Sequence, residues 1–174
     1  MISYKRRRLN GGKWITAKGT HPNNQCLLSN KARTDKDGNL LDHIYIVEGH
    51  HDFLTAVLLG IDVLMIPTVS YKSFTEYEIS VFTGRDVIFI PDWKEDDTSG
   101  VDTMVALAKQ VEDTARNAKI FSLPLFLEKV NIPFENDKLD LSEVVELWSD
   151  GLSPFLNTLE YVADEGIFYT GEMF

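Results

Sequence analysis

The chain has 174 residues, of which 44% are hydrophobic and 25% charged, and its formal net charge is -10. This length and composition suit one globular domain and exclude a disordered chain. No apolar run approaches the roughly 18 residues of a membrane-spanning helix, and no apolar stretch follows the basic N-terminal residues, so neither a membrane protein nor a secretory signal is expected. The single cysteine, Cys26, excludes an internal disulfide framework and a zinc ribbon of four cysteines, and it favours a cytoplasmic protein.

Charge is unevenly distributed along the chain. Residues 1–41 carry nine lysines and arginines against two aspartates, whereas the remaining residues carry 8 basic and 25 acidic side chains. A basic arm beside an acidic body can hold a polyanion near a carboxylate-lined, metal-binding site. The basic run at residues 5–8 (KRRR) is also compatible with a solvated terminus, and charge alone favours that simpler interpretation.

In chain order, residues 1–41 are rich in Gly, Asn, Lys and Thr and predict two or three short strands separated by turns, a small β-rich N-terminal extension. From residue 42 onward, short β-branched runs alternate with helical patterns of hydrophobic residues. Strands are predicted at 43–47, 62–66, 86–90 and 119–123, and helices at 52–59, 74–82, 101–117, 141–149 and 155–161. Ser73, with Glu76 three residues on, is the predicted N-cap of the second helix.

Strands and helices that alternate at this spacing predict the α/β class, with a doubly wound, mostly parallel four-stranded sheet flanked by helices. The sheet domain is predicted to span residues 42–150, and residues 151–174 to form a C-terminal helix and tail. Ligands of such sheets bind beyond the carboxyl ends of the strands. The residues that follow the strands are therefore the first candidates for a functional site.

Acidic residues stand at the ends of two predicted strands. Glu48 ends the first core strand and Asp92 follows the third, where a charge has no packing role. Asp52 begins the helix after Glu48, and Asp97 and Asp140 each precede a later helix. Carboxylates that converge on one sheet edge repel each other unless a cation neutralises them, and magnesium typically needs only one or two carboxylates together with substrate phosphates. Two such ions can clamp a phosphoryl transfer.

A structural role is the simpler interpretation of each acid taken alone. Asp52 and Asp140 are suited to be helix N-caps, and residues 95–97 (EDD) to form a solvated loop. The chain contains no G-x-G-x-x-G sequence and no P-loop, which weakens a dinucleotide-binding or nucleotide-hydrolase interpretation. A joint site is favoured because Glu48 and Asp92 end two different strands of one predicted sheet.

Four segments carry a resemblance to a known family: residues 44–60 (IYIVEGHHDFLTAVLLG), 63–67, 87–100 (VIFIPDWKEDDTSG) and 138–144 (KLDLSEV). Together they resemble the TOPRIM domain, the metal-binding domain shared by bacterial-type DNA primases, topoisomerases and some nucleases. Glu48, Gly49 and Asp52 match its Glu-Gly-x-x-Asp motif. The bacterial and phage DNA primase and primase-helicase branch is the most similar.

The resemblance implies a role for each matching residue. The family pattern continues with a strand that ends in Asp-x-Asp, and here Lys94 stands at the position of the second acid. The expected catalytic residues are Glu48 and Asp52. The expected ligands of Mg²⁺ or Mn²⁺ are Glu48, Asp92, Asp97 and Asp96. The expected phosphate or nucleic-acid contacts are Lys72, Lys94, Lys138, Arg6, Arg7 and Arg8, and the remaining motif residues are Gly49, Gly100 and Asp140.

The function that the resemblance implies is magnesium-dependent nucleotidyl transfer in primer synthesis for DNA replication. Single-stranded DNA template and nucleotides are the expected ligands, and no membrane contact is expected. The sequence lacks the cysteine-rich zinc module with which primases read template, so a larger or divided primase is expected, as in a phage or mobile element, or a helicase or zinc-module partner. The alternatives are a TOPRIM-type nuclease or RNA-processing enzyme, and a non-catalytic nucleic-acid-binding module with a decayed metal site, which Lys94 favours.

Overall fold

The structure, a computed structural model, describes residues 5–6, 15–16, 26–29, 42–148 and 155. Its strands are β1 (Lys5–Arg6), β2 (Ile15–Thr16), β3 (Leu27–Leu28), β4 (His43–Glu48), β5 (Val63–Ile66), β6 (Asp86–Ile90), β7 (Trp93–Lys94), β8 (Asn117–Ile120) and β9 (Lys138–Leu139). Its helices are α1 (Gly49–Leu59), α2 (Glu76–Val81), α3 (Ser99–Ala108), α4 (Leu123–Lys129) and α5 (Leu141–Leu147). Within these ranges, no helix has the length and apolar character needed to cross a membrane.

A five-stranded sheet with the order β3-β5-β4-β6-β8 forms the centre of the molecule. The strands β5, β4, β6 and β8 are parallel neighbours, which confirms the mostly parallel α/β architecture. The predicted count of four strands is one too low, because Leu27 and Leu28 of the N-terminal extension pair antiparallel with β5. A strand of two residues carries no sequence signal for the sheet that it joins. Two small antiparallel pairs, β1 with β2 and β7 with β9, complete the strand pairing.

Both faces of the sheet are covered by helices. Along β4, Tyr45 and Val47 pack towards α1, α4 and α5, whereas Ile44 and Ile46 pack towards α3 and the residues that flank α2. These four side chains are at most 2% exposed. A strand that is buried on both faces has a continuous apolar sequence, and this pattern is why β4 could be predicted.

The connections place a crevice between β4 and β6. The chain leaves β4 through α1, which packs on one face and returns to β5 on one side of β4. It leaves β6 through α3, which packs on the other face and returns to β8 on the opposite side. Adjacent parallel strands whose connections diverge in this way leave an opening beyond their carboxyl ends, where ligands of doubly wound sheets bind.

Helix α1 agrees with the prediction at its end and extends it at its start. It stops where Gly60 takes a left-handed conformation with φ of 80°, which glycine adopts without strain. Helix α2 is capped by Thr75 and Glu78 in a reciprocal capping box, so the predicted cap at Ser73 with Glu76 is wrong. The correct pair has the same Ser/Thr-x-x-Glu spacing, shifted by two residues.

Helix α3 is shorter than the predicted 101–117. From Lys109 onward the chain forms tight turns, in which the amides of Gln110 and Val111 bond to carbonyls three residues back. The side chain of Gln110 also accepts a hydrogen bond from the Phe74 amide and donates one to the Lys72 carbonyl. These tertiary contacts are not visible in a helical hydrophobic pattern.

Helix α4 was not predicted, and β8 ends earlier than the predicted strand at 119–123. Ser122 accepts a hydrogen bond from the amide of Leu125, and Pro124 stands at the helix start, where proline is well tolerated. The predicted helix at 141–149 is confirmed as α5, with its end at Leu147. Of the predicted helix at 155–161 only Phe155 is described, and it is helical and buried.

Candidate functional site

The ends of β4 and β6 bring Glu48 and Asp92 together at one edge of the sheet. Val47 of β4 lies opposite Ile90 of β6, so Glu48 and Asp92 lie just beyond this level on neighbouring strands. Both residues line the same two adjoining cavities. The first, here called the acidic cavity, has a volume of about 350 Å³ and is lined by Glu48, Gly49, His50, His51, Asp52, Leu54, Asp92 and Asp140. The second, the lysine cavity, has about 250 Å³ and is lined by Glu48, Val69, Asp92, Lys94, Asp97, Ser99 and Gly100.

Glu48 stands at a sharp turn from strand to helix. Gly49, the first residue of α1, has φ of 77°, a left-handed conformation that favours glycine. The Glu48 Oε1 atom accepts a hydrogen bond of 3.0 Å from the amide of Val69, in the loop after β5. Burial raises the pKa of this carboxyl, while the Val69 amide and the Lys94 charge oppose the rise. Glu48 is therefore a carboxyl that holds a proton more readily than an exposed glutamate does.

Asp92 is the least compensated acid at this edge. Its Oδ1 atom is buried and has no hydrogen-bond partner among the described residues. Burial, followed by the negative charges of Asp52, Glu48 and Asp140, raises its pKa to about 8. Carboxylates that are buried without a partner are unusual in folded proteins. The Asp92 environment is therefore short of positive charge.

Gly100 explains how the start of α3 can approach Asp92. A Cβ atom at this position would lie 2.7 Å from the Asp92 carbonyl oxygen, closer than real Cβ contacts occur. Glycine thus allows the first turn of α3 to pack directly against the backbone after β6. This close approach places Ser99 and Gly100 on the wall of the lysine cavity.

Asp52, an expected catalytic residue, lies on the wall of the acidic cavity but directs its carboxylate into the fold. Its Oδ1 accepts hydrogen bonds from the Ser142 amide at 3.0 Å and the Ser142 hydroxyl at 2.7 Å, and its Oδ2 accepts one from the Leu141 amide at 3.3 Å. Burial and the charge of Asp140 raise its pKa to about 6, against the lowering effect of these donors. Both oxygens of Asp52 are thus engaged by the first residues of α5.

Asp140 is the N-cap of α5. Its Oδ1 accepts a hydrogen bond of 2.8 Å from the Glu143 amide, and Glu143 bonds in return to the Asp140 amide at 3.0 Å. This capping box orients Asp140 towards the acidic cavity. Glu143 also pairs with Lys138 at 3.0 Å and adds to the negative field at Asp92. Glu143 was not predicted as a residue of the site, although Asp140-x-x-Glu143 has the spacing of a capping box.

Asp97 and Asp96 differ in position. Asp97 lines the lysine cavity, where its Oδ1 accepts a hydrogen bond of 3.0 Å from the Ser99 amide and its Oδ2 lies 3.3 Å from Lys94 Nζ. Hydrogen bonds from Ser99 and Lys94 lower its pKa to about 2, so it stays ionised. Asp96 is exposed and does not line either cavity. Of this expected ligand pair, the structure brings only Asp97 to the site.

The expected phosphate contacts lie in three different places. Lys94 lines the lysine cavity, and its backbone pairs with that of Lys138 across β7 and β9, so the two exposed lysines are neighbours. Lys72 is exposed and lines neither cavity. Arg7 and Arg8 lie outside the described residues, and of Arg6 only the backbone in β1 is described.

The donors at this edge fit a hard divalent cation only in part. Among the described residues, no three His, Cys, Asp or Glu side chains form a group that could hold a metal ion unaided. Glu48 and Asp92 still supply carboxylate oxygens in a field that lacks positive charge. Magnesium is commonly held by one or two carboxylates, with substrate phosphates and water as the other ligands. The residues therefore fit an ion that binds together with a phosphate-bearing substrate.

Comparisons of this chain with models of known families, with curated proteins and with solved structures found no match. The assignment of a function therefore depends on the chemistry of the site and on the sequence motifs.

Proposed function

We propose that this chain is a magnesium-dependent phosphoryl-transfer domain that acts on nucleic acid, of the primase type. The observation that carries the proposal is the position of Glu48 and Asp92, which lie beyond adjacent parallel strands where the connections diverge. The buried, unpartnered oxygen of Asp92 supports a cation at that position. The Glu-Gly-x-x-Asp motif and the resemblance to TOPRIM domains support nucleic acid as the substrate class.

Glu48 and Asp92 would hold the ion, with the Asp140 carboxylate at the side of the acidic cavity. Magnesium bound there would neutralise the carboxylates and stabilise negative charge on a phosphoryl group. Glu48, whose pKa is raised, suits acceptance of a proton from an attacking hydroxyl group. Lys94 and Lys138, side by side on β7 and β9, would attract the phosphates of the substrate.

A second candidate is a non-catalytic nucleic-acid-binding module. The Lys94–Asp97 ion pair favours it, because both Asp97 oxygens are engaged and Lys94 places a positive charge where a second metal ion would otherwise bind. Such a module would bind a phosphate backbone without accelerating any reaction. The two candidates differ in whether a divalent ion binds at all.

Titration calorimetry of the full chain with Mn²⁺ separates the two candidates, because manganese binds such sites more tightly than magnesium. We expect weak binding by the chain alone and tighter binding when a nucleoside triphosphate is present, since phosphates complete the ligand set. Primer-synthesis and nuclease assays on single-stranded DNA, with and without Mg²⁺, then distinguish primase from nuclease activity. Absence of any divalent binding, with or without nucleotide, would favour the non-catalytic module.

A further inference from the structure

The start of α5 is held by two acids from different parts of the chain. The amides of Leu141 and Ser142 donate to the carboxylate of Asp52, which belongs to α1. The amide of Glu143 donates to the Asp140 side chain, and the amide of Asp140 donates to the Glu143 side chain. The first four amides of a helix have no partner within the helix. Asp52 therefore supplies half of the N-terminal cap of α5 from outside it.

Helix α1 makes a second polar contact with α5 at the same point. The hydroxyl oxygens of Thr55 and Ser142 are 2.9 Å apart, and the Ser142 hydroxyl donates to Asp52. Thr55 lies one turn after Asp52, so both residues face α5 from the same side of α1. Asp52 is only 2% exposed, and Ser142 only 3%. This buried network fixes the first turn of α5 against the helix that begins at Glu48.

The segment held in this way carries one wall of the site. Asp140, the residue before α5, lines the acidic cavity. Strand β9 directly precedes Asp140 and pairs with β7, with Leu139 opposite Trp93 and Lys138 opposite Lys94. Strand β7 in turn follows Asp92. A continuous series of contacts thus leads from Asp52 through α5 and β9 to β7, the strand that carries Lys94.

We propose that Asp52 is a positioning residue, which holds α5 and β9 so that Asp140 and Lys94 take their places around Glu48 and Asp92. This inference rests on the proposed function, since the positioned residues are those that would bind the ion and the phosphates. It replaces the expectation of a catalytic Asp52, because both carboxylate oxygens are committed to α5. Substitution of a residue that orients metal ligands without binding the metal itself typically changes metal affinity by 10- to 100-fold.

Ser142 provides the variant that separates positioning from direct ligation. If Asp52 were itself a ligand, Ser142→Ala would remove one of the two donors to its Oδ1 atom and leave Mn²⁺ binding unchanged or tighter. If Asp52 positions α5, Ser142→Ala loosens the same contact and weakens Mn²⁺ binding in the same direction as Asp52→Asn. The matched control is Asp62→Asn, another buried aspartate with two side-chain partners, at the opposite end of the sheet.

The experiment measures Mn²⁺ affinity by calorimetry on the full chain, with nucleoside triphosphate present, and amide hydrogen exchange without metal. We expect Asp52→Asn to weaken Mn²⁺ binding by about 10- to 100-fold, Ser142→Ala by a smaller factor, and Asp62→Asn by less than about twofold despite a lower melting temperature. Amides of β9 and β7 should exchange faster in Asp52→Asn than in Asp62→Asn. Tight Mn²⁺ binding by Ser142→Ala, or equal weakening by Asp62→Asn, would overturn the proposal.

Hydrogen exchange keeps this inference separable from the proposed function. If the unsubstituted chain binds no Mn²⁺ and β9 and β7 still exchange faster in Asp52→Asn, the structural anchor is real and the metal-dependent function is wrong. If Mn²⁺ binds but exchange in β9 and β7 is unchanged in Asp52→Asn, the function stands and the positioning role is wrong.

Discussion

Acidic residues at the two ends of the central sheet lie in opposite electrostatic environments. At the amino ends of the parallel strands, buried Asp62 bonds to Arg85 at 2.6 Å and to the Ser29 hydroxyl at 2.8 Å. Asp86, close by, bonds to Arg116 at 2.8 Å and has a lowered pKa, chiefly because of that arginine. Asp62 and Asp86 thus each have an arginine partner that compensates the charge of the carboxylate.

At the carboxyl ends of the same strands, carboxylates mainly face other carboxylates. Burial, followed by the charges of Asp52, Glu48 and Asp140, raises the pKa of Asp92 to about 8. The two lysines described at this end, Lys94 and Lys138, are exposed and already pair with Asp97 and Glu143. Burial of acids without compensation is unfavourable for the fold. The difference shows that the acids at the amino end are compensated within the protein, and it supports the proposal that the carboxyl end binds a positively charged ligand.

The strongest test of this comparison substitutes Glu48, one of the two acids that line both cavities. Glu48→Gln keeps the side-chain volume but removes the charge and the ability to accept a proton. We expect phosphoryl-transfer activity to fall by about two to four orders of magnitude. The free energy of unfolding in chelator should hold or rise, because one charge leaves a repelling group of acids. Activity assays and thermal melts of the same preparation measure both; a clear drop in melting temperature would show Glu48 to be a structural residue.

The amino end should respond in the reverse manner. Arg85→Met removes the partner of Asp62 and leaves a carboxylate that is 0% exposed without its counter-charge. Breaking a buried pair in this way typically lowers the free energy of unfolding by about 3–5 kcal/mol. Denaturant unfolding measures this loss, and Mn²⁺ affinity of the folded protein should not change.

The control for that substitution is Arg116→Met. Arg116 pairs with Asp86 while its own side chain is 46% exposed, so its removal should lower the free energy of unfolding far less than Arg85→Met does. Equal losses for the two arginine variants would mean that burial does not distinguish the two pairs.

A pH titration sharpens the comparison further. The pKa of Asp92 is about 8 in the folded state and 3.8 as an ordinary aspartate, so between these values the folded protein binds a proton that the unfolded chain does not. In chelator, the Asp92 contribution is therefore most favourable below pH 4 and is lost as pH rises towards 8, by at most about 1.4 kcal/mol per pH unit. The free energy of unfolding of Asp92→Asn should therefore fall less steeply with rising pH over this range than that of the unsubstituted protein. Parallel stability curves for the two proteins would show that Asp92 is not the titrating group.

Much of the fold could be predicted because it depends on local patterns. The apolar runs that form β4, β5 and β6 are buried on both faces and have no competing helical period. Gly60 marked the end of α1 for a backbone reason that glycine satisfies. The pairing of β3 with the central sheet and the helix α4 were not predicted, because both depend on tertiary contacts that no local pattern records.

The site could be predicted as a set of strand ends, but not as a network. The strand pattern placed Glu48 and Asp92 at the ends of two strands of one sheet, and in the structure these two strands are neighbours. It could not show that Asp52 bonds to residues about 90 positions later in the chain. Nor could it show that the Val69 amide donates a hydrogen bond to Glu48, because every residue except proline carries a backbone donor, whatever its side chain. Side-chain partners across the fold are set by packing, and they decide which acids keep free oxygens.

The smallest expected effect on stability concerns the lysine at the acidic end. Lys94→Gln breaks an exposed ion pair of 3.3 Å with Asp97, so the free energy of unfolding should change by no more than about 0.5 kcal/mol. Metal binding should respond more strongly, because the ammonium repels a divalent ion and occupies an oxygen of Asp97. A gain in Mn²⁺ affinity on the order of tenfold or less is expected, because the exposed ammonium repels the ion only through high-dielectric, salt-screened solvent.

Binding of a nucleoside triphosphate should move in the opposite direction in Lys94→Gln, since the phosphates lose a cation beside the cavity. Both changes should shrink as salt is added, because the charges involved are exposed. Lys72→Gln is the matched control, an exposed lysine that lines neither cavity and should change neither affinity. If Lys94→Gln weakens Mn²⁺ binding instead, then Lys94 supports the site through its contact with Asp97. The acids at the carboxyl end would then be paired with a cation of the protein, like those at the amino end, and would not bind a divalent ion.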